Sequence, residues 1–229
     1  MKKCFASLAI SACLFFIGCN SYHHEDGVLD APLTIRGSFE ADRYFDQQRT
    51  FSIEIPKEFC GFIEEFEDVE TGIRVAIFHQ ALGELIRLEI STFPEELMAE
   101  VFLTNSCPEM FLGVLENCVV KIISKDFPGT HSSALEWIHI SEEDLALFAI
   151  LEIPHSSPRW EDLQTSQRLS SYRGYLLFVV DNQFVVMSYQ LLPSIALIGP
   201  PTRTQVDWVR DKLLDLKKVY RNESVTLLD

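Results

Sequence analysis

Missing from this 229-residue chain is any apolar run of the roughly 18 to 20 residues that a membrane-spanning helix requires, which excludes a polytopic membrane protein. Cations are scarce as well. Nineteen Lys plus Arg stand against 34 Asp plus Glu, a formal net charge of -15. Such a surface repels a phosphate backbone, so no nucleic-acid partner is expected. Ten Gly and ten Pro are too few for a collagen-like or low-complexity chain, and 47% hydrophobic residues are too many for a disordered one. Chemical signatures are also missing. There is no CxxC, CxxCH or paired zinc spacing, which disfavours haem attachment, thioredoxin-like chemistry and a zinc ribbon. No G-x-S-x-G elbow, S-x-x-K with K-T-G, H-E-x-x-H or phosphate-cradling glycine loop occurs either. No cofactor and no metal are expected, and no residue is assigned a catalytic role.

What is present begins with an address. Lys2 and Lys3 precede an uncharged, mainly apolar run of 13 residues from Phe5 to Ile17, with Ser7 and Ser11 within it, followed by Gly18 and Cys19. A basic start and an h-region of this length make a secretory signal pattern, too short to span a bilayer. Phe16-Ile17-Gly18-Cys19 resembles the lipobox of bacterial lipoproteins, with Phe16 where Leu is usual. The resemblance implies cleavage between Gly18 and Cys19, a thioether from the Cys19 sulfur to diacylglycerol, and acylation of the new α-amine. One acyl chain binds a membrane only marginally, whereas two or three anchor it stably. Asn20, where an Asp would retain an enteric lipoprotein at the inner membrane, implies a place on the periplasmic side of the envelope, at the outer membrane rather than the inner. Removing residues 1–18 takes away two lysines and no acid, leaving a charge of -17. So acidic a domain stands off from anionic headgroups. The expected organisation is therefore a signal peptide over 1–18, a lipidated Cys and polar tether over 19–50, and a single domain over 51–229.

Of the six cysteines, Cys4 and Cys13 leave with the signal peptide and Cys19 is the lipidation site, leaving Cys60, Cys107 and Cys118. One disulfide with one buried thiol, and three buried thiols, are both compatible with that number. His23 and His24 beside Glu25 and Asp26 read as solvated linker ahead of a weak metal site. His131 and His139, eight apart on an expected strand, share a face at roughly 26 Å, too far to ligate one ion without a bend.

From residue 51 the pattern turns to short β-rich runs. Phe51 to Ile55 alternates and stops at Pro56; Gly61 to Phe66 and Ile73 to Phe78 flank Glu70-Thr71-Gly72 as a hairpin; Glu84 to Thr92 alternates as a third strand of a meander. Pro94, with Glu95 and Glu96 behind it, starts an expected helix over 94–104. Cys118 to Ile123, Ala134 to Ile140 and Leu145 to Ile153 are further expected strands, with Ser141 to Asp144 as a turn. The clearest local signal is Tyr172 to Tyr189, two β-rich runs around Asp181-Asn182, apolar on both faces and hence expected to be central and covered on each side. Thr204-Gln205-Val206-Asp207 resembles a capping box, and Val206, Val209, Leu213, Leu216 and Tyr220 trace one face of a closing helix. The order predicts an α+β fold in which an antiparallel sheet packs with a few helices and a closing amphipathic C-terminal helix. Phe-Ser-Ile-Glu-Ile-Pro at 51–56, the late hairpin and the last helix resemble the MOG1/PsbP-like fold, which occurs in bacterial lipoproteins and implies binding or assembly more than catalysis.

One connection stands out as a recognition element. Pro154 to Ser171 is longer than usual and carries Arg159, Trp160 and Arg168, the residue types that anchor interfaces. Leu191 to Thr202 is a second long connection, expected at the opposite end of the sheet. These features predict a lipid-anchored envelope protein whose domain binds an envelope protein or small ligand. The alternative is an envelope hydrolase whose Ser, His and carboxylate come from distant loops, recognisable by a pocket with a His in reach of a Ser, Cys or carboxylate.

Overall fold

The computed structural model describes residues 37–55, 61–67, 72–80, 85–92, 108–141, 144–154, 170–190 and 202–223. In chain order the strands are β1 (Ser38–Glu40), β2 (Arg43–Phe45), β3 (Phe51–Glu54), β4 (Gly61–Glu67), β5 (Arg74–Gln80) and β6 (Leu85–Thr92). A helical segment follows, made of α1 (Pro108–Val114), a π-helical stretch (Leu115–Val120) and α2 (Lys121–Asp126). Then come β7 (His131–His139), β8 (Leu145–Pro154), β9 (Ser170–Val180), β10 (Gln183–Gln190), helix α3 (Arg203–Val219) and β11 (Tyr220–Asn222).

The seven-stranded sheet runs β4-β5-β6-β10-β9-β8-β7, and the four-stranded sheet runs β1-β2-β3-β11. Every pairing is antiparallel. The α+β class is as the sequence predicts, and β10 of the apolar hairpin lies at the centre of the large sheet. The hairpin turns on Asp181 at φ 51°, in the left-handed region that Asn and Asp tolerate. One face of the sheet, with Val75, Leu147, Ala149, Leu151, Leu177, Val179 and Val186, packs under the helical segment through Phe111, Val114, Leu115 and Cys118. The other face, with Phe78, Leu88, Phe148, Phe178 and Met187, packs against α3 and the small sheet through Leu213, Tyr44, Phe51 and Ile53. Helix α3 sits close on β9 because Gly174 has no side chain: a Cβ there would overlap Val209 Cγ1 and lie 3.2 Å from Leu213 Cδ1. Among the described residues no helix is long and apolar enough to cross a membrane, which leaves crossing by strands unaddressed.

Several expectations are corrected. Residues 38–45, assigned to the tether, form β1 and β2, and β2 pairs with β3. The reason is Tyr44, fully buried between the sheets, and Asp46, whose carboxylate closes the following loop by accepting from the backbone N–H groups of Thr50 and Phe51. Cys118 to Ile123, expected as a strand, is helical. Its β-branched residues suggested a strand, but Phe111, Val114, Leu115 and Cys118 recur at the helical period and are all buried. Helix α3 is capped by Thr202, whose hydroxyl accepts from Gln205 N–H while the Gln205 side chain accepts from Thr202 N–H, two residues before the expected box. Tyr220, counted on the helix face, begins β11 and pairs with Ile53. A bulge between Ser132 and Ala134 puts His131 opposite Glu152 and His139 opposite Leu145, so the two histidines occupy opposite faces. The expected helix over 94–104 lies outside the described residues.

Candidate functional site

Strand β6 alternates strictly. Ile86, Leu88 and Ile90 face α3 and the small sheet, which turns Arg87, Glu89 and Ser91 toward the helical segment. Register carries this face across the central strands: Arg87 stands opposite Ser188, and Ser188 opposite Tyr175; Leu85 stands opposite Gln190, and Gln190 opposite Arg173. Arg87, Glu89, Ser188, Gln190, Arg173 and Tyr175 thus form a polar group on the face that also carries the apolar residues packed under the helical segment.

Over this group the helical segment leaves a hollow of about 90 Å³. Arg87, Glu89, Arg173 and Tyr175 line it from the sheet, and Cys118, Val119, Ile122 and Ile123 from the helical segment. The π-helical stretch supplies Cys118 and Val119; such stretches recur at functional sites because the wider turn re-aims side chains. Glu89 Oε1 lies 2.7 Å from Arg87 Nε, an ion pair without the alignment of a hydrogen bond. Arg173 has neutral partners: Nη1 donates to the Tyr175 hydroxyl at 3.3 Å, and Nη2 donates to Gln190 Oε1. Its Nε is buried with no hydrogen-bond partner among the described residues. Burying part of a guanidinium against neutral groups is costly, and an under-satisfied buried donor calls for an explanation.

The strand ends show where the chain leaves the sheet. Pro154 of β8 pairs with Ser170 of β9, and Gln190 of β10 pairs with Arg173 of β9. The chain therefore leaves for 155–169 and for 191–201 from the same end of the sheet, the end that carries Arg173. This corrects the expectation of opposite ends; two successive antiparallel turns bring a chain back to the end where it began.

Of the sequence-derived site residues, Gly18, Cys19, Arg159, Trp160 and Arg168 lie outside the described residues, as do Cys60, Cys107, His23, His24 and His155. Cys118 is buried at the roof of the hollow. Two His–carboxylate pairs are described, His79 with Glu64 at 3.4 Å and His131 with Glu152 at 3.9 Å, and neither borders the hollow. His79 also stacks on Phe62, with ring centroids 4.3 Å apart. Ser133 Oγ, adjacent in sequence to the His131 cluster, donates to the Ile150 carbonyl as part of the bulge. Among the described residues no group of three or more His, Cys, Asp and Glu could hold a metal ion. Sequence reading passed over Arg87, Arg173 and Tyr175; the available signal was a charged residue at every second position of a strand and an Arg inside an apolar hairpin.

No family model matches the chain, and no curated protein matches it. Among solved structures, cyanobacterial PsbP (CyanoP) from Synechocystis sp. PCC 6803 is similar with a TM-score of 0.45 and 10% identity, over 84% of this chain and 99% of that one. The Ran-binding protein Mog1p of Saccharomyces cerevisiae is similar with a TM-score of 0.48 and 10% identity, over 83% of this chain and 99% of that one. These are weak likenesses to the PsbP and Mog1 folds, and at such scores neither says anything of binding or activity in this chain.

Proposed function

We propose that this chain is a lipid-anchored protein of the bacterial cell envelope, held at the periplasmic side and at the outer membrane by acylated Cys19, with an α+β domain that binds an envelope protein or small ligand. Support for the anchor comes from Lys2, Lys3, the apolar run and Phe16-Ile17-Gly18-Cys19. The observation that carries the binding role is the hollow, where Arg173 is held beside neutral partners on the sheet face that packs under the helical segment. A hydrolase is supported less well, because the described His–carboxylate pairs stand away from that concavity.

Two measurements test the reading. Intact mass and membrane partitioning of wild type beside Cys19→Ala test the anchor: wild type gains the mass of acyl chains and pellets with membranes, and the variant does neither. Equal mass behaviour and equal solubility refute it. For the domain, a small-molecule fragment set balanced in charge should give hits whose chemical-shift changes centre on Arg173, Tyr175 and Ile122; a set with no hit at the hollow refutes the binding role.

A further inference from the structure

The two walls of the hollow differ in chemistry. Arg87, Glu89, Arg173 and Tyr175 make the floor charged and polar, while Val119, Ile122 and Ile123 make the roof aliphatic. Among the described lining residues two guanidinium groups face one carboxylate, a local positive surplus in a chain of net charge -15. Glu89 pairs with Arg87, and among the described residues the hydrogen-bond partners of Arg173 are neutral, the Tyr175 hydroxyl and the Gln190 amide. Those two contacts also hold the guanidinium in one orientation, so little side-chain freedom remains to be lost on binding. The Tyr175 oxygen, accepting from Arg173, keeps its own proton to donate.

We propose that the hollow takes a short aliphatic carboxylate, with its carboxylate against Arg173 and Tyr175 and its hydrocarbon under Val119, Ile122 and Ile123. This rests on the reading of the hollow as a binding site and names the chemistry of its ligand. A guanidinium beside a phenol matches a planar carboxylate in charge and in donors. Beside its aliphatic side chains the roof offers only the weak thiol donor of Cys118, and so disfavours a compact, strongly hydrated ion such as inorganic phosphate, which needs polar groups all round. Size agrees. A hollow of about 90 Å³ is several times the roughly 10–15 Å³ that admits one water, so it has room for a ligand of a few carbons.

The test uses the full chain and follows the Arg173 Nε–Hε cross-peak in ¹H–¹⁵N spectra during titration with acetate, butyrate, butyramide and inorganic phosphate. Butyrate should move the peak saturably and bind about tenfold more tightly than acetate, since it buries two more methylenes. Phosphate should bind more weakly than butyrate, and butyramide should leave the peak in place. Read at the Tyr175 and Ile122 backbone amides, Arg173→Gln should weaken butyrate by at least about tenfold, and Arg173→Lys, which keeps the charge, by less. If butyramide moves the peak as butyrate does, or phosphate binds more tightly than butyrate, the carboxylate assignment is overturned while the binding role stands. If no probe moves it, both fall.

Discussion

Asp46 offers a quantitative test of where the domain begins. Its side chain is fully buried. Oδ1 accepts from the backbone N–H of Thr50 at 2.6 Å and of Phe51 at 2.9 Å, while Oδ2 accepts from Thr50 Oγ1 at 2.8 Å and from Arg74 Nη1 at 3.2 Å. Arg74 belongs to β5 of the large sheet and is itself only 17% exposed, so this carboxylate ties the loop after β2 to the main body. Asp46→Ala leaves a mostly buried guanidinium with only the half-exposed Glu67, 4.0 Å away, as counter-ion, and two backbone donors without their acceptor. Removing one partner of a buried pair costs about 3–5 kcal/mol, a large share of the roughly 5–15 kcal/mol that holds a domain together. Asp46→Asn should cost about 1–3 kcal/mol less than Ala, because an amide oxygen in place of Oδ1 still serves Thr50 and Phe51. It still costs, because the amide NH₂ then points at Arg74. Urea unfolding followed by tryptophan fluorescence, with an unchanged m-value, reads both differences. Were residues 38–50 a solvated tether, both variants would fall within about 0.5 kcal/mol of wild type. That result, or an Asn variant as damaged as Ala, would refute the packing described here.

Two further predictions follow from close packing and from a buried phenol. Gly174→Ala forces a Cβ onto Val209 Cγ1, a stiff β-branched side chain on α3, and should cost about 1–3 kcal/mol; adding Val209→Ala should recover most of it. If the single variant melts with wild type, α3 does not sit as close on β9 as stated. The Tyr220 hydroxyl donates to Gln183 Oε1 at 2.6 Å, and burial first, then the charges of Asp46 and Asp181, hold its pKa well above 10 against the opposing pull of Arg74. A raised folded pKa means that this stabilisation is complete below the unfolded value near 10 and is lost as pH rises toward the folded value, at up to about 1.4 kcal/mol per pH unit. Tyr220→Phe should flatten the loss of stability measured between pH 10 and 11 while costing about 1–2 kcal/mol at neutral pH; an unaltered alkaline slope would count against it.

How much was legible follows from period. The strands β3, β5, β6, β8, β9 and β10 were readable because apolar residues alternate or run continuously between clear breaks, as in Ile86, Leu88 and Ile90. The helical segment was misread where Cys118, Val119, Val120, Ile122 and Ile123 crowd together, since β-branched content and helical period disagreed and burial decided for the period. The first strands were missed for a different reason. β1 and β2 are three residues each, too short for any period, and what secures them is one buried tyrosine and one buried aspartate that composition counts as polar linker. The hollow was half legible. Alternation in β6 already put Arg87 and Glu89 on one face, but which face a helix would cover depends on pairing across three strands, which no local window contains.

The two faces of the large sheet bear on how an anchored chain would present its hollow. β1 enters the fold beside Tyr44, whose ring packs with Phe51 and Phe78 on the α3 side of the sheet. Arg173 and Tyr175 line the hollow on the side of the helical segment. Chain entry and hollow are therefore separated by the thickness of the sheet. With Cys19 acylated, the 19 residue steps from Cys19 to Ser38 limit the distance between anchor and β1 to roughly 70 Å, at no more than about 3.6 Å per residue. An acidic domain is pushed outward from anionic headgroups within that limit. If the proposed anchor holds, a chain entering on the α3 side keeps the hollow on the side away from its point of entry, and the proposed ligand reaches it from the aqueous side. A Cys19→Ala variant released from the membrane should then bind butyrate as tightly as the anchored chain, whereas an affinity that depends on the bilayer would place the hollow against the lipid and reverse the orientation argued from β1.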